Sequence, residues 1–332
     1  MGFPSSPPFR SHVLVTGATG FIGAHVVDVL LSRGLRVRGA TRSVAKGDSM
    51  IKARPEYAGK LDFIQIDDFE NLGVFSEAIK DVDAVVHVAS VRILPINGVR
   101  SILEAAATNP KISRVVITSS FASVLDVNRK APPYFTYTGE DWNPLTYEEA
   151  ASPETSAVVA YRGSKKFAER AAWDFVKGHS PRFDIVTLCP PMTFGPVVHP
   201  VSGVAELNES NAMLWKVRCG QKPLPVARVP FWIDVRDLAM AHVEALFRPK
   251  VGKRRFVPAA KDRFSYGLAA KIIEENFDWA KGKVALEEQV IDTSHGLDGE
   301  TAARELGFEY RTFDQTVVDL IDQVTKMEGG AI

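Results

Sequence analysis

Tyr161 and Lys165 stand four residues apart in Tyr161-Arg162-Gly163-Ser164-Lys165. On a helix that spacing puts both on one face, so a phenol and an ammonium can serve one site. A free phenol titrates near pH 10, too high for easy acid–base work at neutrality. A neighbouring cation stabilises the phenolate and lowers that value. Each tenfold change in acidity corresponds to about 1.4 kcal/mol, so a hundred- to thousandfold change asks roughly 3–4 kcal/mol of the surroundings. Lys165, together with a cationic cofactor ring, is the expected source. Alone, Tyr-x-x-x-Lys is equally a surface pair on a helix. A second set of hydroxyls, Ile117-Thr118-Ser119-Ser120, ends an apolar run. A serine there can donate to a carbonyl oxygen, or simply cap a turn.

Thr16-Gly17-Ala18-Thr19-Gly20-Phe21-Ile22-Gly23 follows the apolar run His12–Thr16 and opens a helical pattern. The glycines fall at G-x-x-G-x-x-G. Gly17 permits the tight turn, Gly20 lets a pyrophosphate approach, and Gly23 allows helix to pack closely on strand. A helix N-terminus then offers N–H groups to phosphate. The end of the second strand discriminates between dinucleotides. An NAD site places Asp or Glu there. This chain reads Arg38-Gly39-Ala40-Thr41-Arg42-Ser43-Val44-Ala45-Lys46. Arg42 can hold a 2′-phosphate bidentately and Lys46 can add a point charge, so NADPH is expected over NADH. The other reading of Arg42 is a solvated surface charge. Asp68, of the pair Asp67-Asp68, can accept from the adenine amine or belong to a helix start. His87, in an apolar run, is read as a packed residue, with Ala89 and Ser90 at the rim touching the cofactor.

Strand-like segments at 12–16, 35–41, 61–66, 84–89, 115–119 and 184–189 alternate with helical patterns such as 24–33, 75–80, 99–107 and 164–177. Alternation of this kind implies an α/β fold with a Rossmann-type doubly wound parallel sheet, its loops gathered at the C-terminal rim of the strands. After Pro190 prolines break the alternation. Residues 1–190 are expected to form the NADP-binding domain, and 191–332 a smaller C-terminal α/β substrate lobe, with 230–247 returning to the first. Short strands are expected at 254–258 and 283–291. The aromatic segment 126–160 is long enough to be a lid or a binding wall. Phe121, Phe194 and Phe231 are candidates for a substrate pocket, although buried aromatics are more often core.

The 332 residues carry 40 Lys+Arg against 40 Asp+Glu, so the formal net charge is zero and no global attraction to nucleic acid or anionic membrane is expected. The two cysteines, Cys189 and Cys219, lack metal-ligand spacing, and so few thiols suit a reducing compartment. No metal site is expected. No secretory leader or apolar run of membrane-spanning length is evident, so a cytoplasmic protein is expected. Met1–Ser6 matches the loose myristoylation pattern but reads as a Pro/Ser-rich tail.

Glycine turn, strand-end serines and Tyr-x-x-x-Lys, in that order, resemble the extended short-chain dehydrogenase/reductase superfamily over nearly the whole chain. Thr16–Gly23, His87–Ser90, Thr118–Ser120, Tyr161–Lys165, Pro190–Pro196 and Trp232–Ala239 carry the likeness. The chain looks like fungal-type NADPH-dependent aldehyde and ketone reductases, with methylglyoxal reductases and plant dihydroflavonol reductases as near relatives. The resemblance implies a Ser120–Tyr161–Lys165 triad. It also implies pyrophosphate contacts around Gly20–Ile22, and Pro190, Met192 and Thr193 at the nicotinamide end. The chain departs from the family between Ser90 and Gly98, where relatives carry roughly ten more residues, which bears on the cofactor-side wall. The expected activity is NADPH-dependent reduction of a small aldehyde or ketone by a monomer or homodimer. The alternatives are a nucleotide-sugar epimerase or dehydratase, and a non-catalytic NADP-sensing regulator.

Overall fold

The computed structural model describes residues 11–69, 71, 73–88, 96–132 and 134–329. Its first half runs β1 (His12–Thr16), α1 (Phe21–Ser32), β2 (Arg36–Thr41), α2 (Val44–Lys52), β3 (Leu61–Gln65), β4 (Ala84–His87), α3 (Ile96–Thr108) and β5 (Arg114–Thr118). Then follow β6 (Phe135–Tyr137), α4 (Tyr147–Ala151), α5 (Ala157–His179), β7 (Asp184–Leu188), β8 (Met192–Phe194) and α6 (Glu209–Arg218). The rest is β9 (Trp232–Asp234), α7 (Val235–Phe247), β10 (Arg254–Phe256), α8 (Tyr266–Asn276), β11 (His295–Leu297), α9 (Gly299–Leu306) and α10 (Phe313–Met327).

A seven-stranded sheet in the order β10-β7-β5-β4-β1-β2-β3 forms the centre, and every pairing in it is parallel. Successive side chains of a strand point to opposite faces. Val13 and Val15 of β1 therefore join Val86, Val116 and Val186 in one core with α1 and α7. Leu14 joins Val85, Val115, Ile117 and Ile185 in the other, under α3 and α5. Both faces of β1, β4, β5 and β7 being covered, those strands read as near-continuous apolar runs. Helix α1 ends where Gly34 turns left-handed (φ 82°), and the Gly34 and Leu35 N–H groups close on Leu31 and Leu30.

A third core, with Phe194, Trp232, Phe264 and Phe313, lies among β8, β9, α6, α8 and α10. Asp234 begins α7 by accepting from the Arg236 N–H at 2.8 Å, and also accepts from Thr316 Oγ1 at 2.7 Å. The pair β8–β9 and the pair β6–β11 are separate parallel ribbons. No helix among the described residues is long and apolar enough to cross a membrane.

Two sequence expectations need correction. Residues 75–80 form turns, not a helix. Phe75, Ala78 and Ile79 are buried as the apolar spacing required. However, positive φ at Gly73 (87°) and Asp81 (61°) bounds a stretch too short to sustain a helical ladder. Residues 283–291 hold no strand. Glu287 and Gln289 pin them through side chains, Glu287 accepting from the Leu224 N–H and Gln289 bonding to Gly267 N and Pro225 O. The strand of that region is β11.

His242 ties α7 to the sheet. Its Nδ1 lies 2.7 Å from the Leu238 carbonyl, which can only accept, so Nε2 must accept from Thr118 Oγ1 at 2.6 Å. Burial lowers the His242 pKa to about 4, against the raising effect of the Leu238 bond. A histidine depressed from 6.5 binds fewer protons folded than unfolded, so stability is lost as pH falls below 6.5 towards 4. We expect denaturant midpoints to decline over that window, His242 accounting for roughly 3 kcal/mol. In His242→Gln the decline is shallower; an unchanged slope would exclude the neutral buried imidazole.

Candidate functional site

The glycine turn leaves β1 and enters α1 with Gly17 at φ 67°, its carbonyl accepting from the Gly20 N–H at 3.0 Å. Gly20 is the N-cap, exposed, and brings no side chain to the first-turn N–H groups; no acid stands in that turn. A Cβ at Gly23 would lie 2.1 Å from Gly17 O, so only glycine lets α1 sit this close to the turn. Thr19 and Thr41 hydroxyls meet at 3.2 Å, joining the turn to the end of β2. Just beyond, Arg42 and Lys46 are exposed, and Ser43 caps α2 by accepting from the Lys46 N–H. Phe21 and Ile22 are half-buried, the Phe21 ring meeting His25 and His199 edge-on. Asp68 is exposed past the end of β3. Ala89, Ser90 and residues 91–95 of the shortened segment lie outside the described residues.

Strand order reverses between β1 and β4, and the turn lies at that crevice. Across it, β5 ends at Thr118 and the chain continues extended through Ser120 (φ −158°, ψ 150°). Ser120 Oγ accepts from the Ala122 N–H at 3.1 Å. The Ser119 N–H donates to Leu188 O at 2.7 Å and the Phe121 N–H to Pro190 O at 2.9 Å, locking the serine loop to the end of β7. Helix α5 begins at its Ser156 cap and carries Tyr161 and Lys165 on its first turns. Between them Gly163 lets α4 lie against α5; a Cβ there would meet Ala150 Cβ at 2.1 Å.

The structure brings Ser120, Tyr161 and Lys165 together. The Ser120 side chain lies close enough to the Tyr161 phenol to draw its pKa down. Lys165 Nζ lies 5.7 Å from the centre of the Tyr161 ring, and its charge reaches His87 on β4. Half of Tyr161 is exposed (50%), yet burial around its hydroxyl raises the phenol above its ordinary value, with Ser120 opposing and Glu209 adding to the rise. The phenol lowering expected from Lys165 with a cofactor ring is not found in the chain alone, where desolvation sets the direction. Burial lowers Lys165 itself to about 8. Burial, then the Lys165 charge, lowers His87 to about 4, so His87 is a neutral packed residue, bonded to Thr16 Oγ1 at 2.9 Å.

Pro190 is buried, Met192 half-buried, and Thr193 Oγ1 donates to Pro191 O at 3.2 Å. Phe121 and Phe231 sit edge to face, 5.7 Å apart, in a buried cluster with Tyr137 and Cys189. Phe194 is fully buried against Phe264 and Phe313 and presents no surface to a ligand. Sequence reading missed Glu169 and Arg255, which pair in the interior behind Ser120. The spacing Tyr161–Lys165–Glu169 held a signal for the first; nothing near Arg255 marked the second.

Gly23→Ala should disrupt the turn, because the clash is with backbone and cannot be relieved by a rotamer. We expect dinucleotide affinity, measured by quenching of protein fluorescence, to fall at least roughly tenfold, with a lowered melting temperature. Unchanged affinity would show that the turn does not hold the ligand.

Residues 13–257 match the NAD dependent epimerase/dehydratase family. An oxidoreductase of Schizosaccharomyces pombe is 37% identical over 324 residues, covering 92% of this chain and 95% of the relative. The NADPH-dependent methylglyoxal reductase Gre2 of Saccharomyces cerevisiae is 32% identical over 348 residues, covering 96% and 99%. The crystal structure of yeast methylglyoxal/isovaleraldehyde reductase Gre2 complexed with NADPH superposes with a TM-score of 0.85 at 30% identity, covering 96% of this chain and 100% of that one. With a parallel doubly wound sheet, a glycine turn at its switch point and relatives of this extent, the chain belongs to the NAD dependent epimerase/dehydratase family and is an oxidoreductase.

Proposed function

We propose that this chain is an NADPH-dependent carbonyl reductase that reduces an aldehyde or ketone to an alcohol, with Ser120, Tyr161 and Lys165 as its catalytic residues. The observation that carries the reading is the convergence of Ser120, Tyr161 and the buried Lys165 amine, whose Nζ lies 5.7 Å from the Tyr161 ring centre, at the rim of the crevice that the glycine turn opens. The crevice fits the dinucleotide. First-turn N–H groups of α1 have no side-chain cap, the glycines keep the approach open, and a guanidinium instead of a carboxylate follows β2. That last feature selects the 2′-phosphate and disfavours the NAD-retaining chemistry of sugar epimerases and dehydratases.

NADPH, when bound, supplies the hydride. The chain supplies the proton and its placement. Tyr161, held protonated by burial, carries a proton at its phenol oxygen for the developing alkoxide. Ser120 Oγ–H stabilises the same oxygen. Lys165 contributes a positive charge 5.7 Å from the centre of the phenol ring, and its ammonium would hold the nicotinamide ribose when the cofactor is bound. Gly17, Thr19, Gly20, Phe21, Ile22 and Gly23 would hold the diphosphate of the bound cofactor, Arg42 and Lys46 its 2′-phosphate, and Pro190, Met192 and Thr193 its nicotinamide end. Residues 191–332 supply the substrate wall in this reading. Methylglyoxal, the substrate in the name of the baker's yeast relative, is the first carbonyl to assay.

Tyr161→Phe should reduce turnover roughly 100-fold or more while leaving NADPH affinity within about twofold; wild-type turnover in this variant would refute the acid role. Arg42→Ala should raise the KM for NADPH roughly 10- to 100-fold and leave that for NADH nearly unchanged. An equal effect on both cofactors would place Arg42 away from the 2′-phosphate. The pH profile has a definite sign. Lys165, lowered to about 8, is charged below that pH and neutral above it, while Tyr161 keeps its proton past 10. Reductive kcat should fall as pH rises through about 8, and Lys165→Arg, always charged, should move that limb upward.

A further inference from the structure

Behind the reacting corner lies a carboxylate with almost no contact with water. Glu169 is 2% exposed and stands on α5, four residues beyond Lys165 and eight beyond Tyr161. It gathers donors from separate elements. Ser119 Oγ reaches it at 2.5 Å, Ser123 Oγ at 2.7 Å, Thr187 Oγ1 at 2.7 Å and Arg255 Nε at 2.7 Å. Two of these donors flank Ser120. Ser119 precedes it, and the Ser123 N–H donates to the Ser120 carbonyl at 2.9 Å, with Ser123 Oγ 2.8 Å from the same oxygen. The other end of the arrangement is equally tied. Arg255 Nη2 donates to Ser123 Oγ at 2.9 Å, Nη1 donates to the Gly139 and Asp141 carbonyls, and the guanidinium stacks 3.8 Å from the Trp142 ring.

We propose that Glu169 is a positioning residue, braced by Arg255, that sets the Ser120 hydroxyl against the Tyr161 hydroxyl. The geometry is specific to that task. One carboxylate rides the helix that carries Tyr161 and accepts from both sides of the loop that carries Ser120, so it fixes the distance between the two hydroxyls. An ionised carboxylate accepts only, with room for about four donors, and no apolar side chain can collect hydroxyls from both flanks of a loop. Stability alone does not call for it, since a buried ion pair is commonly matched by well-packed apolar residues. Proton transfer does call for it, because misplacement by about 1 Å can cost about 100-fold in rate. Burial alone would raise the Glu169 pKa, but the Arg255 charge and the bonds from Arg255, Ser119 and Ser123 outweigh it and keep the carboxylate ionised. Cys189, whose Sγ lies 3.4 Å from Glu169, is pushed up to about 12 by burial, then by the Glu169 charge, and remains a thiol in the same cluster.

The inference rests on the catalytic reading of Ser120 and Tyr161, and a double-mutant cycle on the full chain separates the two. Glu169→Gln should lower kcat roughly 10- to 100-fold with NADPH affinity, measured by fluorescence titration, unchanged within about twofold. In the Ser120→Ala background the same substitution should change kcat by less than about twofold, because the hydroxyl it positions is gone. Equal losses in both backgrounds would overturn the proposal and leave Glu169 a support of the fold at large. A Ser120→Ala variant with wild-type kcat would overturn the catalytic reading and this proposal together. If Glu169→Gln does not fold, Ser119→Ala, which removes one strut and leaves the ion pair intact, goes through the same cycle with the same expected pattern.

Discussion

Seven parallel strands covered on both faces leave few places where backbone can meet a ligand. The interiors of β1, β4, β5 and β7 are sealed between α1 and α7 on one side and α3 and α5 on the other. The crossovers that parallel pairing requires deliver the strand ends to one rim. Where the order reverses between β1 and β4, neighbouring loops diverge and a crevice opens. The candidate site lies along that rim. The glycine turn follows β1, Arg42 follows β2, His87 ends β4 and Ser120 follows β5. The sheet supplies the rigid frame on which short side chains can be placed with the precision that reaction requires.

Low dielectric acts on that corner in one consistent way. Desolvation penalises whichever form is charged. It therefore raises Tyr161, lowers Lys165 to about 8 and, aided by the Lys165 charge, lowers His87 to about 4. At neutral pH the result is a protonated phenol, a protonated amine and a neutral imidazole. That is the protonation pattern a reductase needs in the direction that consumes a proton. Glu169 escapes the same rule because Arg255 and three hydroxyls compensate its charge. The Glu169 carboxylate is thus buried in the interior, where it cannot oppose the phosphates of a dinucleotide.

The lobe built on β8, β9, α6, α8 and α10 is joined to the sheet through more than one crossing of the chain. Strand β10 extends the sheet beside β7, and α7 packs on α1. Arg255 lies on that returning strand, so the clamp behind Ser120 is closed only when the C-terminal half has come back to the sheet. Segment 126–160 is held in the same way, through Gly139, Asp141 and Trp142 on Arg255, and through β6 pairing with β11. The clamp behind Ser120 and segment 126–160 are therefore both held by residues of the returning C-terminal half.

Much of this was legible in the chain itself. Apolar runs alternating with helical spacing gave the sheet class, because a strand buried on both faces must be apolar throughout. The glycines, Arg42 after β2, and Tyr161 with Lys165 at helical spacing are local patterns, and local backbone geometry imposes them. Other features were out of reach. The turns at 75–80 and the coil at 283–291 depend on whether a short apolar stretch finds a partner strand or helix, which neighbours in space decide. Phe194 looked like a pocket residue and became core because Phe264 and Phe313, remote in sequence, close over it. The Glu169–Arg255 pair joins residues 86 positions apart. No spacing rule announces such a pair, since its energy exists only once water has been removed from both charges. Residue types and short-range periods follow from the sequence; which charges are desolvated, and against what, follows only from the packed chain.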